Sequence, residues 1–233
     1  MTTLRAVFWD VDGTIADTEM FGHRLAFNKA FLDFGLNWEW DIQTYSELLK
    51  IQGGYHRIKY FADLQKIKIS KNILTQIQER KQVYYSEQIS LGNVPLRDGV
   101  KRLIEELKAN GLSQYIVTTS GKRAVKALLK KYFCNNLDSY FQGYVTYEDV
   151  IRHKPHPDAY LKAMALSGFK PNEIIVIEDS LPGLLSATGA SLNCILTLSI
   201  NNKIASSEIL QAKAVLNSLG DKIHKCVVYR GKS

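Results

Sequence analysis

The chain has 233 residues, of which 45% are apolar, and a formal net charge of +7 at pH 7. This length and apolar share are sufficient for one α/β domain or for a core with a smaller inserted domain. The first residues hold too short an apolar run for a secretory signal, and no run reaches the roughly 18 apolar residues that a membrane span needs. The composition therefore predicts a soluble cytoplasmic protein without a membrane partner.

The cysteines and the basic residues exclude little by themselves. Cys134, Cys194 and Cys226 are widely spaced, which fits neither a disulfide framework nor a zinc pattern and predicts reduced core thiols. The positive charge suits a nucleic acid and an anionic small molecule equally well. Basic residues cluster between Lys122 and Lys131, as on a solvated helix face, without a nucleic-acid-binding motif. We therefore expect an anionic small-molecule partner and no nucleic acid.

The N-terminal segment predicts a buried strand that ends in two acidic residues. Residues 4–9, LRAVFW, form an apolar run, and the sequence DVDGT follows at once. Open α/β sheets bind ligands at the carboxyl ends of their strands, so Asp10 and Asp12 are predicted to face such a site. One carboxylate can act as a nucleophile if cations stabilise its charge, while the other transfers protons. Because ordinary turns also use Asp and Gly, this segment alone is not decisive.

Residues 18–93 predict an inserted helical domain. The segment has aromatic-rich patterns with helical spacing, such as FGHRLAFNKAFLDFGL, and no convincing strand. Pro95 and Gly99 punctuate the chain after it. The core domain is thus predicted to comprise residues 1–17 and 94–233, joined to the insertion by two hinge-like connections.

Beyond the insertion, short apolar runs alternate with amphipathic stretches. This rhythm predicts βαβ units, and hence an α/β fold with a Rossmann-like parallel sheet. Apolar residues recur at helical spacing over residues 97–110, and Asn110-Gly111 supplies a C-cap signal. Further strands are predicted at residues 114–117, 173–178 and 193–198.

Polar groups suited to a phosphoryl site follow two of these later strands. Residues 118–121, TTSG, offer hydroxyls and backbone N–H groups at a helix start, where phosphate binds readily. Residues 178–179, Glu-Asp, supply oxygens for a hard cation such as magnesium. Lys154, between these segments, can neutralise phosphoryl oxygens. Each feature has an ordinary structural explanation, but together with the first acidic pair they predict phosphoryl-transfer chemistry.

The motifs DVDGT, TTS, KPHPD and VIEDSLPG, in this order, resemble the four motifs of the haloacid dehalogenase (HAD) superfamily. The resemblance covers essentially the whole chain, because the insertion resembles the helical cap domain of that superfamily. It implies that Asp10 forms an aspartyl-phosphate, that Asp12 acts as general acid and then as general base, and that Thr118 and Lys154 hold the phosphoryl group. The implied cofactor is Mg²⁺, and its implied ligands are Asp10, the Asp12 carbonyl and Asp179, with Glu178 nearby.

Asp12 also indicates the type of HAD chemistry. Phosphoryl transfer needs an acid for the leaving alcohol and a base for water, whereas halide displacement does not. The phosphonate hydrolases of the superfamily lack an acid at this position. The resemblance therefore implies a phosphatase.

Within the superfamily the chain resembles the CbbY-type sugar phosphatases, which hydrolyse xylulose-1,5-bisphosphate. The resemblance rests on residues 35–61, with the WEWD patch and the Gly-Gly turn before Arg57, and on the tail at 212–221. Asp17, where the family has Glu, and the Tyr-His pair at 55–56 depart from its pattern and leave the sugar open. The candidate substrate-binding residues are Asp17, Gly53, Arg57, Thr119, Ser120 and Lys122.

Arg57 and Lys122 are the candidates for binding a distal phosphate. A small phosphorylated sugar is thus the expected partner of a protein that we expect to be a monomer. A β-phosphoglucomutase-like mutase stays open as an alternative, because its motifs are the same. A binding protein without turnover is disfavoured, because a scaffold has no need for so many charges in one place.

Overall fold

A computed structural model of the chain describes residues 3–51, 53–133, 136–198, 204 and 206–220. The chain divides into two compact units. We call them the core unit, Met1–Asp17 with Leu96–Ser233, and the cap unit, Thr18–Pro95.

The connection from the cap unit to the core unit lies after Pro95, whereas the sequence pattern predicted it after residue 93. Val94 is fully buried and still belongs to the cap unit. Leu96 forms a β-bridge with Ala16 in the core unit. The chain therefore changes units between the buried valine and the bridged leucine.

The core unit is built on a parallel sheet, which confirms the predicted α/β fold. In the described part of the chain, the sheet has six strands in the order β3-β2-β1-β4-β5-β6. They are β1 (Ala6–Trp9), β2 (Ser113–Val117), β3 (Gly143–Val145), β4 (Ile174–Glu178), β5 (Asn193–Thr197) and β6 (Ala214–Leu216).

The sheet order explains where a ligand site can form. β1 pairs with β2 on one side and with β4 on the other, and every residue of β1 is fully buried. The order therefore reverses direction between β1 and β4, and such a switch point opens a crevice at the carboxyl ends of the strands. The acidic residues after β1 and at the end of β4 lie at this crevice.

Helices account for most of the remaining described chain. After a π-helical turn at Glu19–His23, the cap unit contains α1 (Arg24–Asp33), α2 (Ile42–Leu48), α3 (Gly54–Leu64) and α4 (Lys71–Leu91). The core unit contains α5 (Val100–Ala109), α6 (Lys122–Phe133), α7 (Asp158–Ser167), α8 (Leu181–Gly189) and α9 (Ser206–Ile209). Among the described residues, no helix has the length and apolarity to cross a membrane.

Several boundaries differ from the predicted ones by one to three residues, and two of them have clear local reasons. α5 begins at Val100 instead of residue 97, because Gly99 before it has a φ of 75°, outside the helical region. β4 begins at Ile174 instead of residue 173, because a short 3₁₀ turn, Pro171–Glu173, precedes it. β3 and β6 have only three residues each and were not predicted.

The cap unit has an aromatic core of its own. Trp40, Phe27 and Phe31 are fully buried, and the ring centroid of Trp40 lies 4.8 Å and 4.7 Å from those of the two phenylalanines. Asp41 follows as the N-cap of α2 and accepts a 2.7 Å hydrogen bond from the Thr44 N–H. Trp40 and Asp41 of the WEWD patch therefore have structural roles in the cap unit.

Cys194 is a buried free thiol, as predicted. Cys134 and Cys226 lie outside the described residues.

Candidate active site

Three strand ends bring the first predicted residues together. Asp10 directly follows β1, Thr118 directly follows β2, and Glu178 is the last residue of β4. Since β1 pairs in parallel with both neighbours, with Trp9 opposite Ile116 and Ile177, these side chains share one edge of the sheet. The strand pairing alone thus assembles a nucleophile candidate, a hydroxyl and a second acid.

Lys154 lies at the centre of this group. Its Nζ atom donates to Asp10 Oδ1 at 2.7 Å, to Glu178 Oε1 at 2.6 Å and to the Val117 carbonyl at 2.8 Å. The side chain is only 5% exposed. An ammonium has three protons, so all of them are used, and the charge is held in a fixed position beside Asp10.

The electrostatics of the pair follow from its burial. Burial and the neighbouring Glu178 charge raise the pKa of Asp10 to about 7, although the Lys154 charge opposes this rise. Burial by itself would lower the pKa of Lys154, but the charges of Asp10 and Glu178 outweigh it and raise that pKa. The lysine is therefore a permanent cation at the site.

Asp10, Glu178 and Asp179 can present one carboxylate oxygen each within 4.8 Å of one another. Burial, reinforced by Asp10 and Glu178, raises the pKa of Asp179 well above its usual value. The Oδ2 atom of Asp10 and the Oδ1 atom of Asp12 are buried without a hydrogen-bond partner among the described residues. The Asp10 oxygen without a donor, close to the carboxylates of Glu178 and Asp179, fits a hard cation such as Mg²⁺, which prefers oxygen ligands.

Gly13 makes this cluster possible. Its φ is 85°, and a side chain there would overlap the Asp179 carboxylate. The glycine predicted as a sharp turn after the acidic pair therefore also leaves room for the second acidic motif.

Asp12 is held by the loop that follows β2. Its Oδ2 atom accepts a 2.5 Å hydrogen bond from Ser120 Oγ and a longer one, 3.4 Å, from Thr118 Oγ1. Thr118 Oγ1 also accepts from the Ser120 N–H at 3.0 Å. The carboxyl of Asp12 is thus oriented by neutral hydroxyl donors, an arrangement suited to a group that gives and takes a proton.

The helix start after this loop is less open than the sequence suggested. The backbone N–H of Lys122 donates to both carboxylate oxygens of Glu148, at 3.2 and 3.3 Å. The side chains of Thr119 and Lys122 are exposed. An internal carboxylate therefore already occupies the first amide of α6, while the two exposed side chains stay available to a ligand.

Two candidate substrate residues belong to the cap unit. Gly53 is the N-cap of α3 with a φ of 83°. Arg57 donates from Nε to the Ile51 carbonyl at 2.8 Å and from Nη1 to the Tyr45 hydroxyl at 3.4 Å. These contacts hold the guanidinium in one orientation within the cap unit.

Comparison with known proteins gives the family. Residues 7–197 match the sequence pattern of the haloacid dehalogenase-like hydrolases. The chain belongs to this family. A relative of this HAD chain, protein CbbY of Rhodobacter capsulatus, is 37% identical over 194 residues, which are 83% of this chain and 85% of the relative.

Two solved structures of CbbY from Rhodobacter sphaeroides resemble the HAD chain over most of its length. Each is 32% identical to it, and the match covers 94% of this chain and 96% of the other. One was solved with phosphate and has a TM-score of 0.79. The other, a mutant, was solved with xylulose-1,5-bisphosphate and has a TM-score of 0.78. Family membership and the retained second aspartate, Asp12, make the chain an HAD-type phosphatase.

Arg97 is a site neighbour that the sequence pattern did not reveal. Its guanidinium donates to the carbonyls of Gly13, Thr197 and Leu198, the last two at 2.9 and 2.7 Å. Burial lowers the pKa of this arginine, although the nearby Asp179 and Asp17 charges oppose it. In the sequence, Arg97 was marked only by its place between Pro95 and Gly99, which follow the inserted domain.

Asp17, a predicted substrate residue, ends the first segment of the core unit. Its charge acts on Arg97. A role for it in binding substrate stays a prediction.

Proposed function

We propose that the chain is a Mg²⁺-dependent phosphatase for a phosphorylated sugar, with xylulose-1,5-bisphosphate or a related sugar phosphate as the substrate. The observation that carries the proposal is the buried Asp10 carboxylate, with one oxygen on Lys154 and the other without a donor. A nucleophilic carboxylate needs one such oxygen whose lone pairs are not engaged by a hydrogen-bond donor. The sugar is suggested by the CbbY structure solved with xylulose-1,5-bisphosphate.

The first chemical step is an attack by a carboxylate oxygen of Asp10 on phosphorus. As the new P–O bond forms, the bond from phosphorus to the sugar oxygen breaks, and Asp12 gives its proton to that oxygen. Lys154 neutralises negative charge on Asp10 and on the transferring group. The products of this step are the sugar, with a free hydroxyl where the phosphate was attached, and an aspartyl-phosphate.

The second step returns Asp10 to its free form. Asp12, now ionised, takes a proton from water as the water oxygen bonds to phosphorus and the bond from phosphorus to Asp10 breaks. Thr118 and Ser120, which donate to Asp12, keep its carboxyl in one orientation during both steps. The net reaction consumes one water and releases one phosphate.

The carboxylates of Asp10 and Asp179 and the carbonyl of Asp12 would hold Mg²⁺, with Glu178 beside them. When bound, the cation supplies positive charge that stabilises the phosphoryl oxygens in the transition state. It also favours the ionised form of the Asp10 carboxyl over the protonated one.

Substrate selection is assigned to exposed or partly exposed groups of both units. Arg57 and Lys122 are the proposed contacts of a distal phosphate, since a bidentate guanidinium and an ammonium both bind phosphate well. Gly53, Asp17 and Thr119 are proposed to contact the sugar. The protein is proposed to work as a monomer in the cytoplasm.

The test is phosphate release from a panel of sugar monophosphates and bisphosphates that includes xylulose-1,5-bisphosphate, with Mg²⁺ or with EDTA. A strong preference for that bisphosphate, lost with EDTA, supports the proposal. Equal and weak release from all substrates contradicts the proposed substrate. A sugar phosphate isomer with little free phosphate would identify a mutase instead.

A further inference from the structure

Tyr160 on α7 lies behind the catalytic group and is fully buried. Its hydroxyl donates a 2.8 Å hydrogen bond to Glu178 Oε1. The same oxygen accepts the 2.6 Å hydrogen bond from Lys154 Nζ. Tyr160 therefore contacts the acid that holds the catalytic lysine.

The ring of Tyr160 contacts the lysine as well. Lys154 Nζ lies 5.1 Å from the ring centroid, within the range of a cation–π interaction. Tyr160 thus supports Lys154 from two directions, directly through the ring and indirectly through Glu178. From there the ammonium reaches Asp10 at 2.7 Å.

The surroundings of Tyr160 would favour an apolar side chain. Its neighbours in the core cluster include Val117, Val176 and Cys194, all fully buried. A buried hydroxyl costs free energy unless it has a partner, and phenylalanine would fill nearly the same volume without that cost. Packing alone therefore does not explain the hydroxyl, whereas the hydrogen bond to Glu178 does.

Glu178 has few ways to be held without this bond. Its Oε2 atom accepts from the Asp179 N–H at 3.2 Å and from Ser180 Oγ at 3.3 Å, both long. A side chain at Gly183 would overlap the Glu178 carboxyl, so α8 blocks one direction of movement. The shorter contacts on Oε1, from Tyr160 and Lys154, fix the remaining orientation.

We propose that Tyr160 is a positioning residue of the phosphatase: its hydroxyl orients Glu178, and its ring and Glu178 together aim Lys154 at Asp10. The inference rests on the proposed phosphatase function. Tyr160 itself is proposed to touch neither the substrate nor the reacting atoms. It acts on the rate of phosphoryl transfer and not on substrate binding.

The test is the steady-state kinetics of Tyr160→Phe on a sugar phosphate that the wild type hydrolyses, at saturating Mg²⁺. We expect kcat to fall about tenfold, in the range typical of residues that orient a catalytic group, and KM to change less than about twofold. Tyr144→Phe is the matched control, because the buried Tyr144 hydroxyl has no partner among the described residues. A kcat for Tyr160→Phe equal to that of the control would overturn the proposal.

A second comparison tests whether the Tyr160 hydroxyl acts through Glu178. In a Glu178→Ala background the hydroxyl has no side-chain acceptor at position 178 to orient, so adding Tyr160→Phe is expected to change kcat less than about twofold. A further tenfold loss there would contradict action through Glu178. If the wild type released no phosphate from any sugar phosphate, the proposed function would fail, and this separate outcome would be visible before any variant is measured.

Discussion

At the scale of single residues, the site depends on buried charges held by specific donors. Asp10 and Asp179 are both buried carboxyls whose pKa values are raised by burial and by the charge of Glu178. Lys154 offsets part of this cost for Asp10. A bound divalent cation would offset the rest, so we expect magnesium binding to stabilise the core unit.

Magnesium is therefore expected to raise the thermal unfolding midpoint of the wild type. A ligand that binds only the native state stabilises it by about 2.7 kcal/mol at 100 times its Kd. Asp179→Asn should remove most of this shift, because it replaces a charged carboxylate of the proposed cation site by a neutral amide. Asp63→Asn, whose side chain is 63% exposed in the cap unit, should keep it. An equal magnesium-dependent shift in wild type and Asp179→Asn, measured by calorimetry, would show that the cation binds elsewhere.

We expect His23, in the cap unit, to make the free energy of unfolding sensitive to acid. Its Nδ1 atom lies 2.9 Å from Lys81 Nζ, and burial together with the Lys81 and Arg57 charges lowers the pKa of His23 well below its ordinary value. The unfolded chain then binds a proton below about pH 6.5 while the folded chain does not. Stability is thus complete above this pH and falls below it, by at most about 1.4 kcal/mol per pH unit.

His23→Gln should reduce this dependence. Urea unfolding, followed by tryptophan fluorescence, would be compared between about pH 7.5 and pH 5.5 in both proteins. The wild type is expected to lose more free energy of unfolding than the variant over this interval. Equal losses would mean that the imidazole is protonated in the folded state.

At the scale of secondary-structure elements, Arg97 ties together two loops of the core unit. It holds the Gly13 carbonyl after β1 and the Thr197 and Leu198 carbonyls at the end of β5. Its own backbone N–H donates to the Ile15 carbonyl at 2.9 Å. One side chain therefore fixes the loop that carries the first acidic pair.

Arg97→Met keeps most of the side-chain volume but leaves these carbonyls without their donor. We expect the free energy of unfolding to fall by about 1–3 kcal/mol and phosphatase activity to fall with it. Arg5→Met is the control, since Arg5 is 59% exposed and its ion pair with Glu173 is 3.7 Å long; it should change stability by less than about 0.5 kcal/mol. Similar losses in both variants, by urea unfolding, would exclude a special role for Arg97.

In the cap unit, Trp40 lies at the centre of the aromatic core. It is fully buried against Phe27, Phe31 and Phe61, so Trp40→Ala removes the centre of the aromatic core. A loss of about 3–5 kcal/mol in the free energy of unfolding is expected. Leu32→Ala, at a side chain that is 65% exposed, should be close to neutral. A small effect of Trp40→Ala in chemical denaturation would contradict this packing.

The strands and helices also show which parts of the fold could be predicted from the sequence. The long apolar runs predicted β1, β2, β4 and β5, because a parallel sheet covered on both faces needs continuous apolar strands. β3 and β6 are too short to give such a signal. The polar site residues at the strand ends were predicted from the sequence, whereas Tyr160 and Arg97 were not. An aromatic residue on a helix is interpreted as a core residue, and an arginine beside a turn is interpreted as a surface residue.

At the scale of the whole molecule, the two connections at Asp17 and Pro95 separate a cap unit from a core unit. We predict that the cap moves as a body about these connections and closes over the core when substrate binds, which would exclude bulk water from the reaction. Small-angle X-ray scattering with a saturating non-hydrolysable phosphate analogue is expected to give a smaller radius of gyration than without it. An unchanged scattering curve at saturation would contradict hinge closure.

In the proposed reaction, Asp10 itself carries the phosphoryl group. The most direct test is mass spectrometry of acid-quenched enzyme during turnover of a hydrolysed sugar phosphate with Mg²⁺. We expect one added phosphoryl group on the peptic peptide that contains Asp10, its absence in Asp10→Asn, and loss of phosphate release in that variant. Phosphate release that persists in Asp10→Asn, or a phosphoryl group found on another residue, would contradict it.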